Sequence, residues 1–106
     1  YLVGKSDKNS DEFDILLFVN CDIKQLSIPT NIKFISSYAF SKTKIEEISI
    51  PPNVSNICEN AFYDCQNLLI VEVLEESKLK SLSPLVFSSC KKVIIMIPSS
   101  LKTDFK

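Results

Sequence analysis

The chain has 106 residues, of which 45% are hydrophobic, and its 13 acidic and 12 basic side chains leave a formal net charge of −1. That length fits one domain, and the apolar content is enough for a packed core and too high for a disordered tail. The longest unbroken apolar stretch, Val93 to Pro98, falls well short of the ~20 residues that a membrane span needs, and every basic residue is lysine, whereas nucleic-acid recognition draws on a basic surplus and on the bidentate fork of arginine.

Tyr1 rather than methionine opens the chain, as in a fragment, a processed form or a trimmed piece, from which a signal peptide or an anchor would be lost to view. Residues 1–12 carry Lys5, Asp7, Lys8, Asp11 and Glu12 and are expected to form a polar lead-in, flexible or left over from a preceding coil. The single glycine, Gly4, sits here. A phosphate-cradling loop needs several glycines together, so none is expected.

From residue 13 onward the chain repeats itself. Phe18, Phe40, Phe62 and Phe87 stand at steps of 22, 22 and 25 residues. Three residues after each come Cys21, Thr43, Cys65 and Cys90, and just before the last three come Ala39, Ala61 and Val86. Ile32, Val54 and Leu79 precede those phenylalanines by eight residues, and Ile35, Ile57 and Leu82 by five. The second half of each unit agrees as well: Ile23, Leu26 and Ile28 before Pro29, then Ile45, Ile48 and Ile50 before Pro51. The next series, Leu68, Val71 and Val73, is shifted by one residue and lacks the proline; the last, Val93, Ile95 and Ile97, is one residue tighter and ends at Pro98.

A unit of this size is too small to bury its own apolar side, so it must stack on its neighbours in a solenoid. Coils are expected at about residues 13–29, 30–51, 52–74 and 75–98, with 101–106 as a tail or cap. Each coil holds two extended pieces, such as Ile45 to Pro51 and Val54 to Ile57, and a compact turn, helical or 3₁₀ in character, such as Glu59 to Cys65. Strands from successive coils would lie about 4.8 Å apart in a parallel sheet, with proline ending each because it cannot donate to the ladder. Ala61 is expected to be small because a neighbouring turn packs against it, and Phe62 to fill the gap between the extended walls.

The run Ile50-Pro51-Pro52-Asn53-Val54-Ser55-Asn56-Ile57-Cys58-Glu59-Asn60-Ala61-Phe62-Tyr63-Asp64-Cys65-Gln66-Asn67-Leu68 resembles the leucine-rich repeat of BspA-like proteins, whose pattern runs Ile-Pro, Val/Leu-x-x-Ile, Ala-Phe, Cys and Leu-x-x-Ile. The resemblance covers about residues 13–100. It implies a leucine-rich-repeat solenoid of about four coils, with a parallel β-sheet on the concave face and short strands, turns and 3₁₀ or helical pieces on the other side. The lysine-, asparagine-, isoleucine- and serine-rich style is similar to protist members, such as those of trichomonads or amoebae. Departures are Thr43 in place of a cysteine, a degraded first repeat around Phe18 and Asn20, Leu74 to Lys78 in place of Pro-x-x, and Ser36, Cys58 and Ser83 where a glycine often stands.

Cys21, Cys65 and Cys90 share one column and are expected to point into the core as small hydrophobes. A Cys65–Cys90 disulfide would require demanding geometry. Cys58 lies outside the column and is the thiol to test for exposure. The cysteine spacings and the lack of histidine give no zinc pattern, so neither metal nor cofactor is expected. Without histidine the usual general base is missing too, and the pairs Glu46/Glu47 and Glu75/Glu76 read as solvated, since adjacent strand residues point to opposite faces. No catalytic residue is assigned.

The strand residues between the core columns should face outward: Lys24, Gln25 and Ser27; Glu46, Glu47 and Ser49; Leu69, Ile70 and Glu72; Ile94 and Met96. Polar residues dominate the N-terminal half of this strip and apolar ones the C-terminal half. Gln25, Ser27, Glu47, Ser49, Ile70, Glu72, Ile94 and Met96 are therefore the candidate partner-binding residues. An apolar patch of Leu69, Ile70, Ile94 and Met96 suits either a protein partner or a further repeat or cap. Asn53-Val54-Ser55 is a sequon for N-linked glycosylation. The resemblance implies a non-enzymatic adhesion module of a surface or secreted protein, holding a host cell-surface or matrix protein, or a glycan. An intracellular, cytoplasmic scaffold on the same repeats is the alternative, and self-association through the ends of the solenoid fits either.

Overall fold

The structure is a computed structural model, and residues 1–99 are described; the expected tail at 101–106 lies outside them. The extended pieces of the sequence become seven short strands: β1 Leu2–Gly4, β2 Ile15–Phe18, β3 Phe34–Ile35, β4 Glu47–Ile50, β5 Asn56–Ile57, β6 Ile70–Val73 and β7 Ile94–Met96. Strands this short cannot stand alone and persist by pairing with the equivalent piece of the next repeat. One sheet runs β1-β2-β3-β5 and the other β4-β6-β7. Apart from β1, all pairs are parallel and in register, with Leu16 on Ile35 on Ile57 in the first sheet and Ile48 on Val71 on Ile95 in the second. Proline follows directly on β4 at Pro51.

Between the two sheets each repeat makes a turn, and consecutive turns are joined by a third ladder. Tyr38, Phe40 and Lys42 donate their backbone N–H groups to the carbonyls of Asn60, Ala61 and Tyr63. One repeat on, Asn60, Phe62 and Asp64 donate to Leu85, Val86 and Ser88. The outer donors of each set, Tyr38 with Lys42 and Asn60 with Asp64, have φ between 54° and 66°. That left-handed conformation costs about 1–2 kcal/mol per ordinary residue and is tolerated best by Asn and Asp. Of these turns, the last alone becomes a 3₁₀ helix, over Pro84–Phe87, where the Ser83 hydroxyl caps Leu85 N–H at 3.2 Å.

The core follows the expected columns. Ile32, Val54 and Leu79 are buried, as are Ala39, Ala61 and Val86. The Phe40 and Phe62 rings stack at 4.6 Å between centroids, and Phe62 and Phe87 at 5.6 Å. The small residue before each ring lets the turn ladder close, since a larger side chain would hold the neighbouring backbone away.

The first repeat corrects the sequence reading. Phe18 is 51% exposed, and Val19 occupies the core position instead, donating its N–H to the Ala39 carbonyl as Phe40 does to that of Ala61. The cause is a contraction. Phe40 and Phe62 follow their strand residues Ile35 and Ile57 by five positions, but Val19 follows Leu16 by three. Cys21 then falls outside the thiol column and is exposed.

The N-terminal stretch also holds more structure than a polar lead-in. Strand β1 pairs antiparallel with β2 and covers the edge of the first sheet. It approaches closely at Gly4, where a β-carbon would come within 3.0 Å of the Leu17 side chain. Ser6 fastens the following loop: its N–H donates to one Asp14 carboxylate oxygen at 2.7 Å and its hydroxyl to the other. These hydrogen bonds hold the Asp14 carboxyl below the ordinary aspartate range. The Lys5 ammonium sits 4.9 Å from the centre of the Phe13 ring.

Candidate functional site

In a parallel sheet the side chains of one row lie over one another from strand to strand and alternate between faces along each strand. On β4 and β6 the inward rows are apolar and buried, with Ile48 and Val71 in one and Ile50 and Val73 in the next, and on β7 the inward Ile95 is half-buried. The outward rows are Glu47–Ile70–Ile94 and Ser49–Glu72–Met96. Six of the eight candidate residues are thus brought together on one face. Ile94 and Met96 are 54% and 50% exposed, and Leu69, just before β6, is 53% exposed. Ile70 is half-buried, because it is flanked by a strand on either side. Across the second row the Ser49 hydroxyl donates to Glu72 Oε1 at 3.1 Å.

Gln25 and Ser27 are exposed but lie outside the sheet, since no strand forms over residues 24–28. The Lys44 N–H bonds the Ile23 carbonyl at 3.1 Å, and beyond that point the ladder does not continue. An open groove of about 470 Å³ lies there, lined by Leu26, Ser27 and Ile28 on one side and by Glu47, Ser49, Ile70, Glu72 and Met96 on the sheet. Pro51, Pro52 and Leu74 line its end. The sequence pattern did not single out Leu26 or these end residues as surface groups. The core spacing shared by Leu26 and Ile48 concealed that Leu26 is half-buried where Ile48 is buried.

The remaining singled-out residues have structural partners. The Cys65 thiol donates to the Phe40 carbonyl at 2.9 Å, and the Cys90 thiol to the Phe62 carbonyl at 2.9 Å. Each cysteine of the Ala-Phe-x-x-Cys pattern thus ties its turn to the phenylalanine one repeat earlier. Burial pushes both thiols above the ordinary cysteine range, which keeps them protonated and able to donate. Thr43 fills the same column, buried, with its hydroxyl 3.6 Å from Cys65 Sγ. All four cysteines are free, and Cys58 is exposed along with Cys21.

Asn53 is exposed, and its side-chain N–H donates to the Thr30 carbonyl at 3.0 Å. Asn31, at the same offset after a proline but outside any sequon, donates likewise to the Phe13 carbonyl at 2.8 Å. The asparagine column therefore bridges neighbouring repeats, a role that the matching offsets after Pro29 and Pro51 could have revealed. Glu46, Glu47, Glu75 and Glu76 are all exposed. Among the described residues, no group of three or more histidine, cysteine or acidic side chains is placed to hold a metal ion, and no helix is long and apolar enough to cross a membrane.

The family model described as BspA type leucine rich repeat region (6 copies) matches residues 8–104. No curated protein and no solved structure matches the chain.

Proposed function

Because the chain belongs to the BspA-type leucine-rich-repeat family, whose repeats form protein-interaction modules that are typically non-catalytic, we propose that it is a solenoid of about four coils that holds a protein partner on the outer face of β4, β6 and β7. The setting we propose is the cell surface or the secreted space, with adhesion to a host cell-surface or matrix protein as the task, in a protist-type member of the family. The observation that carries the binding reading is the exposed apolar pair Ile94 and Met96 on β7, with half-buried Ile70 opposite Ile94 and exposed Leu69 next to Ile70 in the chain. A folded chain gains nothing from leaving such a cluster in water, so contiguous apolar surface marks an interaction site. The polar rows next to it, Glu47, Ser49 and Glu72, supply the rim that a specific protein interface needs.

The test is retention of chain-coated beads on immobilised matrix proteins and on cell surfaces. The double variant Ile94→Asp/Met96→Asp is expected to lose most of the retention while keeping the thermal melt of the parent. Retention equal to that of the parent would remove this face from the interaction.

A further inference from the structure

We propose that the partner's contact segment is cationic as well as apolar: an extended peptide in which a lysine or arginine stands beside an aliphatic side chain, seated in the groove at the edge of β4. The proposal rests on the sheet face being the binding surface and adds the chemistry of what lies on it.

The groove walls are apolar at Leu26, Ile70, Leu74 and Met96, and Pro51 and Pro52 close its end. Proline has no backbone N–H, so that end recognises a ligand by packing. The charged side chains lining the groove are Glu47 and Glu72, both acidic. Lys24 lines the adjoining depression, which it shares with Gln25, Glu46 and Glu47, but it forms no ion pair with either glutamate among the described residues. Glu47 and Glu72 lie on adjacent strands two positions out of step, so their α-carbons are about 8 Å apart by strand geometry. Among the described residues, the Glu47 carboxylate has no hydrogen-bond or ion-pair partner, and the Glu72 carboxylate accepts the Ser49 hydroxyl.

A purely apolar segment in this groove would strip water from the Glu47 carboxylate and leave it unpaired, which is costly. An acidic segment would be repelled by both glutamates. A lysine or arginine between them restores the lost hydration with charge-assisted hydrogen bonds, and its methylene stem lies along the apolar wall. The adjacent aliphatic side chain then meets Ile70 and Met96.

Met96 is the sole methionine of the chain, so its methyl resonance reports on the groove without ambiguity. Three capped peptides serve as probes: alternating Lys and Leu, alternating Glu and Leu, and alternating Ser and Leu. The Lys/Leu peptide is expected to move the Met96 methyl signal and the Glu/Leu peptide to leave it in place. The Glu47→Gln/Glu72→Gln variant is expected to bind the Lys/Leu peptide about two- to tenfold more weakly. Raising salt from about 50 to about 500 mM should weaken the parent in the same direction, a readout that needs no variant. If the Ser/Leu peptide binds as tightly as the Lys/Leu one, the cationic assignment falls and the face reading stands. If no peptide moves the Met96 signal, both fall. A Met96 shift that depends on protein concentration without any peptide would assign the groove to a second copy and overturn the proposal.

Discussion

The turn edge and the outer face of β4, β6 and β7 are built from the same repeat and treat their neighbours in opposite ways. Along the turn edge nearly everything is committed to the next repeat: alternate N–H groups bond across the gap, the Phe40, Phe62 and Phe87 rings stack, and two thiols donate to phenylalanine carbonyls. On the sheet face the backbone is equally committed, but the outward side chains are not. Among the described residues, Ser49 to Glu72 is the one hydrogen bond between them. The contrast shows how a repeat fold divides its labour. Cohesion is concentrated where side chains are alike in kind from repeat to repeat, and the surface rows, whose one cross-repeat hydrogen bond among the described residues is Ser49 to Glu72, are freer to differ.

The sharpest way to break this comparison is at the ring stack. Phe62→Ala opens a cavity between two other rings in a buried position and is expected to destabilise the chain by about 3–5 kcal/mol, measured by denaturant unfolding. A loss below 1 kcal/mol would mean the stack does not hold the repeats together. Next comes the thiol. Cys65→Ala removes a buried donor from the Phe40 carbonyl, which still accepts the Thr43 N–H at 3.2 Å. The expected loss is about 1–2 kcal/mol, because one bond and a small apolar volume disappear while the carbonyl keeps a partner. A smaller effect of opposite sign is expected at Lys42, whose φ is 60°. Lys42→Gly relieves left-handed strain and pays back part of the gain in unfolded-state entropy, for a net stabilisation of about 0.5–1 kcal/mol. A destabilised melt would show that the Lys42 side chain contributes more than its backbone strain removes.

Much of this edge was legible in the sequence, and the exceptions have physical causes. The 22-residue step of Phe40 to Phe62 and the Ala-Phe-x-x-Cys spacing carry the period directly, because a residue that must sit over its own equivalent can change little. The strand alternation likewise placed Glu47, Ser49, Glu72, Ile94 and Met96 on the surface, where the structure has them. The first repeat misled because Phe18 and Val19 are both apolar, and a two-residue contraction before them leaves no mark in composition. Strand β1 was hidden because it is three residues long within a charged stretch and is recruited by the exposed edge of β2. Gln25 and Ser27 kept the right spacing for a strand without forming one: spacing fixes which side chains can face inward, whereas ladder formation depends on how closely two backbones approach.

The smallest expected effect is the one that most depends on the sheet face being free. Glu47 is exposed on β4, pairs with no basic group among the described residues, and lies opposite Ile70 in the register. Removing its carboxylate should therefore cost the fold almost nothing, and Glu47→Ala is expected to change stability by less than about 0.5 kcal/mol. Any binding loss in that variant would then belong to the ligand rather than to unfolding. Measuring Glu47→Ala and Phe62→Ala side by side gives the comparison its decisive form. Were the glutamate the costly one and the phenylalanine the silent one, inside and outside would have to be exchanged, and the binding face with them.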